Sequence, residues 1–288
     1  MIQGYIQKSL STNEQIDYIC DRYKTKIDIT NDRVRDYLTN ISFCRLNIYF
    51  QKLPNTNFSK VIKYYELDRK LRLIILDAIE RIEISIKAVI VNKLCSKYDS
   101  NPVWYQDKHR FNSIQSYNNF TNIVNDIKIK HRNEQDIKSY RRKYSDSLPI
   151  WLLMEKFSFG DVSKLYSFLD VEDAQLIAKH FGKTTENFKD HLQYLTYIRN
   201  MCAHHVNLFD KQMKLKLRGN KQLYIPKDKL QNLGGYLILV RHYMNLIIPS
   251  SSWGIRLKEL LINYGNKHEL LLTFLGIDKK LNEHFINT

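Results

Sequence analysis

Apolar positions along this chain recur mostly every three or four residues, the spacing that gathers them on one face of an α-helix. The clearest case is 59–98. There Leu71, Ile75, Ala78, Ile82 and Ile86 make one stripe, while Arg69, Lys70, Arg72, Asp77 and Arg81 carry the other face. The segment reads as one long helix or two in series. Upstream, Ser11 followed by Glu14 fits a capping box, and Ile16, Ile19, Cys20 and Tyr23 follow at helical spacing. A second helix is expected from near Thr30, with Val34, Tyr37, Leu38 and Ile41. The stretch 43–53 reads as aromatic and irregular, closed by Pro54.

The pattern fades over 99–148, which is polar, rich in Asn, Lys and Tyr and poor in Leu. Helical fragments are expected there, chiefly over 120–144, as a peripheral lobe. Apolar spacing resumes at Pro149-Ile150-Trp151 and breaks at Phe159-Gly160. A short helix over 174–181 should stop at Gly182. Helices are then expected over 187–204, 230–247 and 252–264. The first of these carries Phe188, Leu192, Leu195, Ile198 and Cys202 on one side. Between them, 211–229 is basic and extended in character, a loop or a hairpin turning at Gly219-Asn220. Trp104, Trp151 and Trp253 are expected to pack inside the core or the lobe. The pattern therefore predicts a single all-α protein over 1–288, with its core in 59–98 and 149–265.

Composition supports long helices: 288 residues contain only 9 Gly and 5 Pro. Charge adds more. With 45 Lys+Arg against 30 Asp+Glu, the net charge is +15, a field that attracts polyanions such as nucleic acid. An AT-rich genome would enrich lysine as well. Cys20, Cys44, Cys95 and Cys202 show no metal-ligand spacing and read as reduced core residues. The 9 histidines form no HExxH pattern. Neither a signal peptide nor an apolar run of the ~20 residues needed to span a bilayer is evident. A cytoplasmic protein without a membrane partner, metal or cofactor is expected.

The candidate chemistry lies in Tyr197-Ile198-Arg199-Asn200-Met201-Cys202-Ala203-His204-His205. On a helix, Asn200 and His204 are four apart and share a face, with Arg199 about 100° around from Asn200. An imidazole can take or give a proton at neutral pH. A guanidinium can hold a phosphate and stabilise charge added to it. Together these groups suffice, without a metal, for an RNA 2′-OH to attack its own phosphate; DNA lacks that hydroxyl. His205 is an alternative to His204. The same cluster also reads as a polar helix end whose histidines favour the dipole.

The Arg-Asn-x-Cys-Ala-His-His run resembles the signature of the abortive-infection proteins of the Abi-like (AbiD/AbiF) group, a branch of the HEPN superfamily. Three further blocks agree in order: 34–50 (VRDYLTNISFCRLNIYF), 75–88 (ILDAIERIEISIKA) and 149–169 (PIWLLMEKFSFGDVSKLYSFL). The resemblance covers about 10–250. It implies a HEPN-type helical bundle with an additional helical lobe, and a metal-independent endoribonuclease toxin of phage defence. Arg199 and His204 would be its catalytic pair, oriented by Asn200, in a site shared by a homodimer. Members often carry Arg three residues after the motif histidine, where this chain has Asn207. Such a toxin implies a restraining antitoxin, a protein or an inhibitory RNA. The alternative is a non-catalytic module that binds RNA or a regulator.

Two secondary clusters are candidates. Glu80 and Glu83 flank Arg81; they are either solvated carboxylates or, for one of them, a partner that orients Arg199. Lys128, Lys130, Arg132, Lys138, Arg141, Arg142 and Lys143 are interleaved with Tyr140 and Tyr144, a composition suited to single-stranded RNA or to a solvated basic helix. Lys214, Lys216 and Arg218 add a second basic segment close behind the motif.

Overall fold

A computed structural model of the protein describes residues 9–28, 32–144, 146–209, 211–218, 225 and 227–265. Among these residues are twelve α-helices and no strand, only the isolated bridges Lys26–Asn57 and Phe111–Leu169. The protein is all-α. The chain groups into two units, Met1–Leu71 and Arg72–Thr288.

In the first unit, α1 (Thr12–Tyr23) opens on the expected capping box. The Glu14 N–H donates to Ser11 Oγ at 3.3 Å and the Ser11 N–H to the Glu14 carboxylate at 2.7 Å. α2 (Asp32–Ile41) and α3 (Phe43–Lys52) pack on α1 and on each other. Residues 29–31, where the second helix was expected to begin, lie outside the described ones. α3 corrects the reading of 43–53 as irregular. Leu46, Tyr49, Phe50 and Leu53 are buried at steps of three and four, and the aromatic bulk hid that period. Phe50 stacks on Tyr23 with centroids 5.9 Å apart. The first turns of α4 (Phe58–Lys97) complete this unit, where the Tyr49 hydroxyl donates to buried Asp68 at 2.7 Å.

α4 is one helix of 40 residues, not two in series. At about 1.5 Å per residue it is roughly 60 Å long. Its stripe Leu71, Ile75, Ala78, Ile82, Ile86 is fully buried. Arg72, expected on the exposed face, is buried too.

The second unit continues with α5 (Ile114–Lys130), α6 (Gln135–Tyr144), α7 (Ile150–Lys156), α8 (Phe159–Phe168) and α9 (Val171–His180). α10 (Thr185–Ala203), α11 (Leu233–Ile247) and α12 (Trp253–Gly265) follow. α10 packs on α8, α9 and α11, and α5 packs on α7 and α8, so 99–148 adds its helices to this same unit. The break after α7 falls at Phe157-Ser158, two residues earlier than expected. Ser158 caps α8 in a capping box with Asp161. Gly182 ends α9 as expected, at φ +63°. α12 is fastened to α4: the Trp253 indole N–H donates to the Ile74 carbonyl at 2.6 Å, and Arg256 pairs with Asp77.

Trp104 and Trp253 are buried, but Trp151 is 46% exposed. α7 buries Ile150, Leu152, Leu153 and Met154, and Trp151 shares the remaining, exposed face with Glu155 one turn on. None of the four cysteines is in a disulfide; Cys202 is buried and Cys44 exposed, so Cys44 is no core residue. No described helix is long and apolar enough to cross a membrane.

Candidate active site

α10 carries the motif. Its N-cap Thr184 accepts from the Asn187 N–H at 3.2 Å, and Phe188, Leu192, Leu195, Ile198 and Cys202 face inward as the pattern predicts. Phe188 stacks on Phe181 with centroids 4.9 Å apart. The inner face also holds His191, whose Nδ1 lies 3.1 Å from the Tyr243 hydroxyl on α11. A well-anchored helix therefore presents its last turn to solvent.

That turn ends in a Schellman motif. The N–H of Val206 donates to the Met201 carbonyl at 2.8 Å and that of His205 to the Cys202 carbonyl at 3.1 Å. His205 takes the left-handed conformation at φ 55°. His204 is the C-cap, its N–H donating to the Asn200 carbonyl at 2.9 Å. Asn200, His204 and His205 are exposed and Arg199 is half-buried. The guanidinium Nη1 donates to Asn200 Oδ1 at 3.3 Å, and Arg199 pairs with no carboxylate among the described residues. The end of α10 thus carries both a guanidinium without a carboxylate partner among the described residues and an accessible imidazole.

Glu83 does not orient Arg199. It pairs with Lys87 at 2.8 Å, one turn along α4, and Lys87 also donates to the Phe157 carbonyl at 2.7 Å. Glu80 is exposed. Asn207 is half-buried and its Nδ2 has no hydrogen-bond partner among the described residues.

The segment after the motif runs back along α10. Lys214 donates its N–H to the Tyr197 hydroxyl at 3.1 Å, and Arg218 reaches Glu186 at 3.3 Å and Asp190 at 3.1 Å nearer the helix start. Met213 and Leu217 are buried; their N–H groups donate to the carbonyls of Gln231 and Leu230, both at 2.8 Å. Lys214 and Lys216 are left exposed beside α10. Arg218, read from sequence as an RNA contact, is committed to two carboxylates. The proposed turn at Gly219-Asn220 lies outside the described residues. Tyr197 was not singled out by its sequence; only the fold shows that it ties the basic segment to the motif helix.

The other basic stretch divides likewise. Asp146 takes Lys128 at 3.3 Å and Arg141 at 2.7 Å. Lys130, Arg132, Lys138, Arg142 and Lys143 are exposed without an ion pair among the described residues. Local acids are drawn elsewhere: Lys156 holds Glu134 at 2.6 Å and Asp136 at 2.7 Å. The Tyr144 side chain lies outside the described ones. Among the described residues no group of three His, Cys, Asp or Glu could hold a metal ion.

Residues 33–210, more than half of the chain, match the family described as Abi-like protein. The chain belongs to the Abi-like family. The match runs from α2 to just past the end of α10, so it includes the Arg199–His204 turn of this Abi-like protein and stops before α11. No curated protein and no solved structure matches the chain.

Proposed function

We propose that this Abi-like protein is an abortive-infection endoribonuclease of the HEPN type, with Arg199 and His204 as its catalytic pair. The observation that carries the reading is the last turn of α10. It carries an exposed imidazole and a guanidinium with no carboxylate partner among the described residues, within the stretch matched to the family.

In the reaction the RNA 2′-oxygen attacks its own phosphorus and the bond from phosphorus to the 5′-oxygen breaks. The 2′-hydroxyl proton leaves to a base and another proton reaches the departing 5′-oxygen. A 2′,3′-cyclic phosphate and a 5′-hydroxyl result. His204 handles a proton, and Arg199 holds the phosphate as negative charge builds on it. Two copies facing each other would supply two imidazoles, one for each transfer; a homodimer fits that need. Lys214 and Lys216 beside α10, with Lys130, Arg132, Lys138, Arg142 and Lys143, give RNA a basic surface. Such an activity requires restraint in an uninfected cell, by an antitoxin protein or an inhibitory RNA.

The deciding experiment is RNA cleavage by wild type, Arg199→Ala and His204→Ala with EDTA present. Cleavage with cyclic-phosphate ends in wild type, reduced about 10²-fold or more in both variants, supports the reading. A folded wild type that binds RNA tightly and never cuts it would make this a regulatory RNA-binding module instead.

A further inference from the structure

The chain has three tryptophans. Trp104 and Trp253 are each 1% exposed, whereas Trp151 is 46% exposed. So large an apolar ring left in water calls for a reason. The ring is not loose. It meets Tyr140 of α6 edge to face, with centroids 5.5 Å apart and planes at 79°. Tyr140 thus holds the indole at a set angle while nearly half of its surface stays open.

α6 carries a surplus of cations: Lys138, Arg141, Arg142 and Lys143 stand against Asp136, which Lys156 holds. Lys143 lies one turn beyond Tyr140 on the same side of α6, next to Arg142. Both are exposed and neither makes an ion pair among the described residues. Exposed Glu155, one turn after Trp151 on α7, is the acid that borders the ring on its own helix. A π-face beside uncommitted cations suits an unpaired base joined to its phosphate, and any base suffices because every base has a π-face. A second copy of this chain is a poor occupant, because it would bring two cationic α6 helices together.

We propose that Trp151 is a stacking platform for an unpaired nucleobase of bound RNA, whose backbone follows Arg142 and Lys143. The proposal rests on RNA being the ligand of this protein, as in the proposed function. It assigns a role to a residue outside the α10 motif.

Trp151 reports on itself, because the other two indoles are shielded. The test titrates the full-length protein with a short oligothymidylate and follows tryptophan emission and affinity. Oligothymidylate stacks but has no 2′-OH, so binding is read apart from cleavage. Wild-type emission should be quenched, and an equally long blunt duplex should not quench it. Trp151→Phe should lose the quenching yet keep most of the affinity. Trp151→Ala should bind roughly tenfold more weakly, and Glu155→Gln should bind more tightly.

Unchanged affinity in Trp151→Ala overturns the proposal. So does quenching that survives in Trp151→Phe. A dimer that dissociates in Trp151→Ala with affinity for oligothymidylate intact would give this face to a second copy. RNA cleavage without quenching overturns the stacking alone. Quenching without any RNA cleavage overturns the nuclease reading alone.

Discussion

The Tyr197 hydroxyl accepts the Lys214 N–H at 3.1 Å, so the basic segment 211–218 is tied to α10 two residues before Arg199. A hydrogen bond of this kind contributes about 1 kcal/mol net. Tyr197→Phe should therefore release the segment without unfolding the protein. Hydrogen exchange at the Met213 and Leu217 amides should rise. If Lys214 and Lys216 bind RNA, KM should increase about fivefold with kcat nearly unchanged. Faster exchange with KM unaltered would remove those lysines from the RNA surface.

His205 sits at φ 55° as the left-handed residue of the Schellman motif. Glycine adopts that conformation without the cost borne by a side chain. His205→Gly should raise stability by about 0.5–1 kcal/mol, read as a higher urea midpoint. If His204 is the working imidazole, RNA cleavage should persist in this variant. Loss of cleavage there would move the chemistry to His205.

Gly235 lies where α11 passes close under the carbonyl of Lys229. A Cβ at this position would meet that oxygen at 2.3 Å and Leu217 at 3.0 Å. Backbone on one side and a buried leucine on the other leave little room to yield. Gly235→Ala should cost about 1–3 kcal/mol, visible as a lower thermal midpoint. Because Leu217 belongs to the segment tied to α10, amide exchange should rise there more than in α4. A variant as stable as wild type would show that the two stretches can part freely.

The packing between α10 and α11 sets a pH dependence. Burial, with Lys183 and His242 adding positive charge, pushes the pKa of His191 down to about 3. Burial, with Lys183, pushes that of His242 down to about 4. Unfolded, both would titrate near 6.5. The native chain thus refuses protons that the unfolded chain accepts, and the related stability is complete above about pH 6.5. It falls as pH drops from there toward 4, by up to about 1.4 kcal/mol per unit for buried His191 and by less for the partly exposed His242, whose charge water screens. Thermal midpoints should decline over that window in wild type and decline less steeply in His191→Gln. Parallel profiles for the two proteins would count against the account.

How much of this was legible in the sequence follows from where the determining contacts come from. The stripe Leu71 to Ile86 declared α4, because a helix that buries one face must repeat at its own period. α3 escaped notice because Tyr49 and Phe50 are adjacent aromatics, and adjacency masks the longer steps to Leu46 and Leu53. The motif turn could be read as a turn, since Asn200 and His204 are neighbours through the helix itself. The fate of each cation could not. Asp146 chooses Lys128 and Arg141, and Glu186 with Asp190 claims Arg218, choices made across folded distances. Trp151 was misjudged for a related reason: a bulky apolar residue is inside only if its helix turns that way.

The clamp on α4 has a consequence for synthesis. The groups that hold its middle, Trp253 on Ile74 and Arg256 on Asp77, lie 179 residues further along the chain. A growing polypeptide emerges with α4 and α10 already made while α12 is still being translated. At about 5–20 residues per second, the ribosome needs on the order of ten seconds or more to cross that interval. Until it does, the Ile74 carbonyl and the Asp77 carboxylate lack these partners. α12, the last of the described helices, therefore reaches its partners on α4 only after most of the second unit has been made.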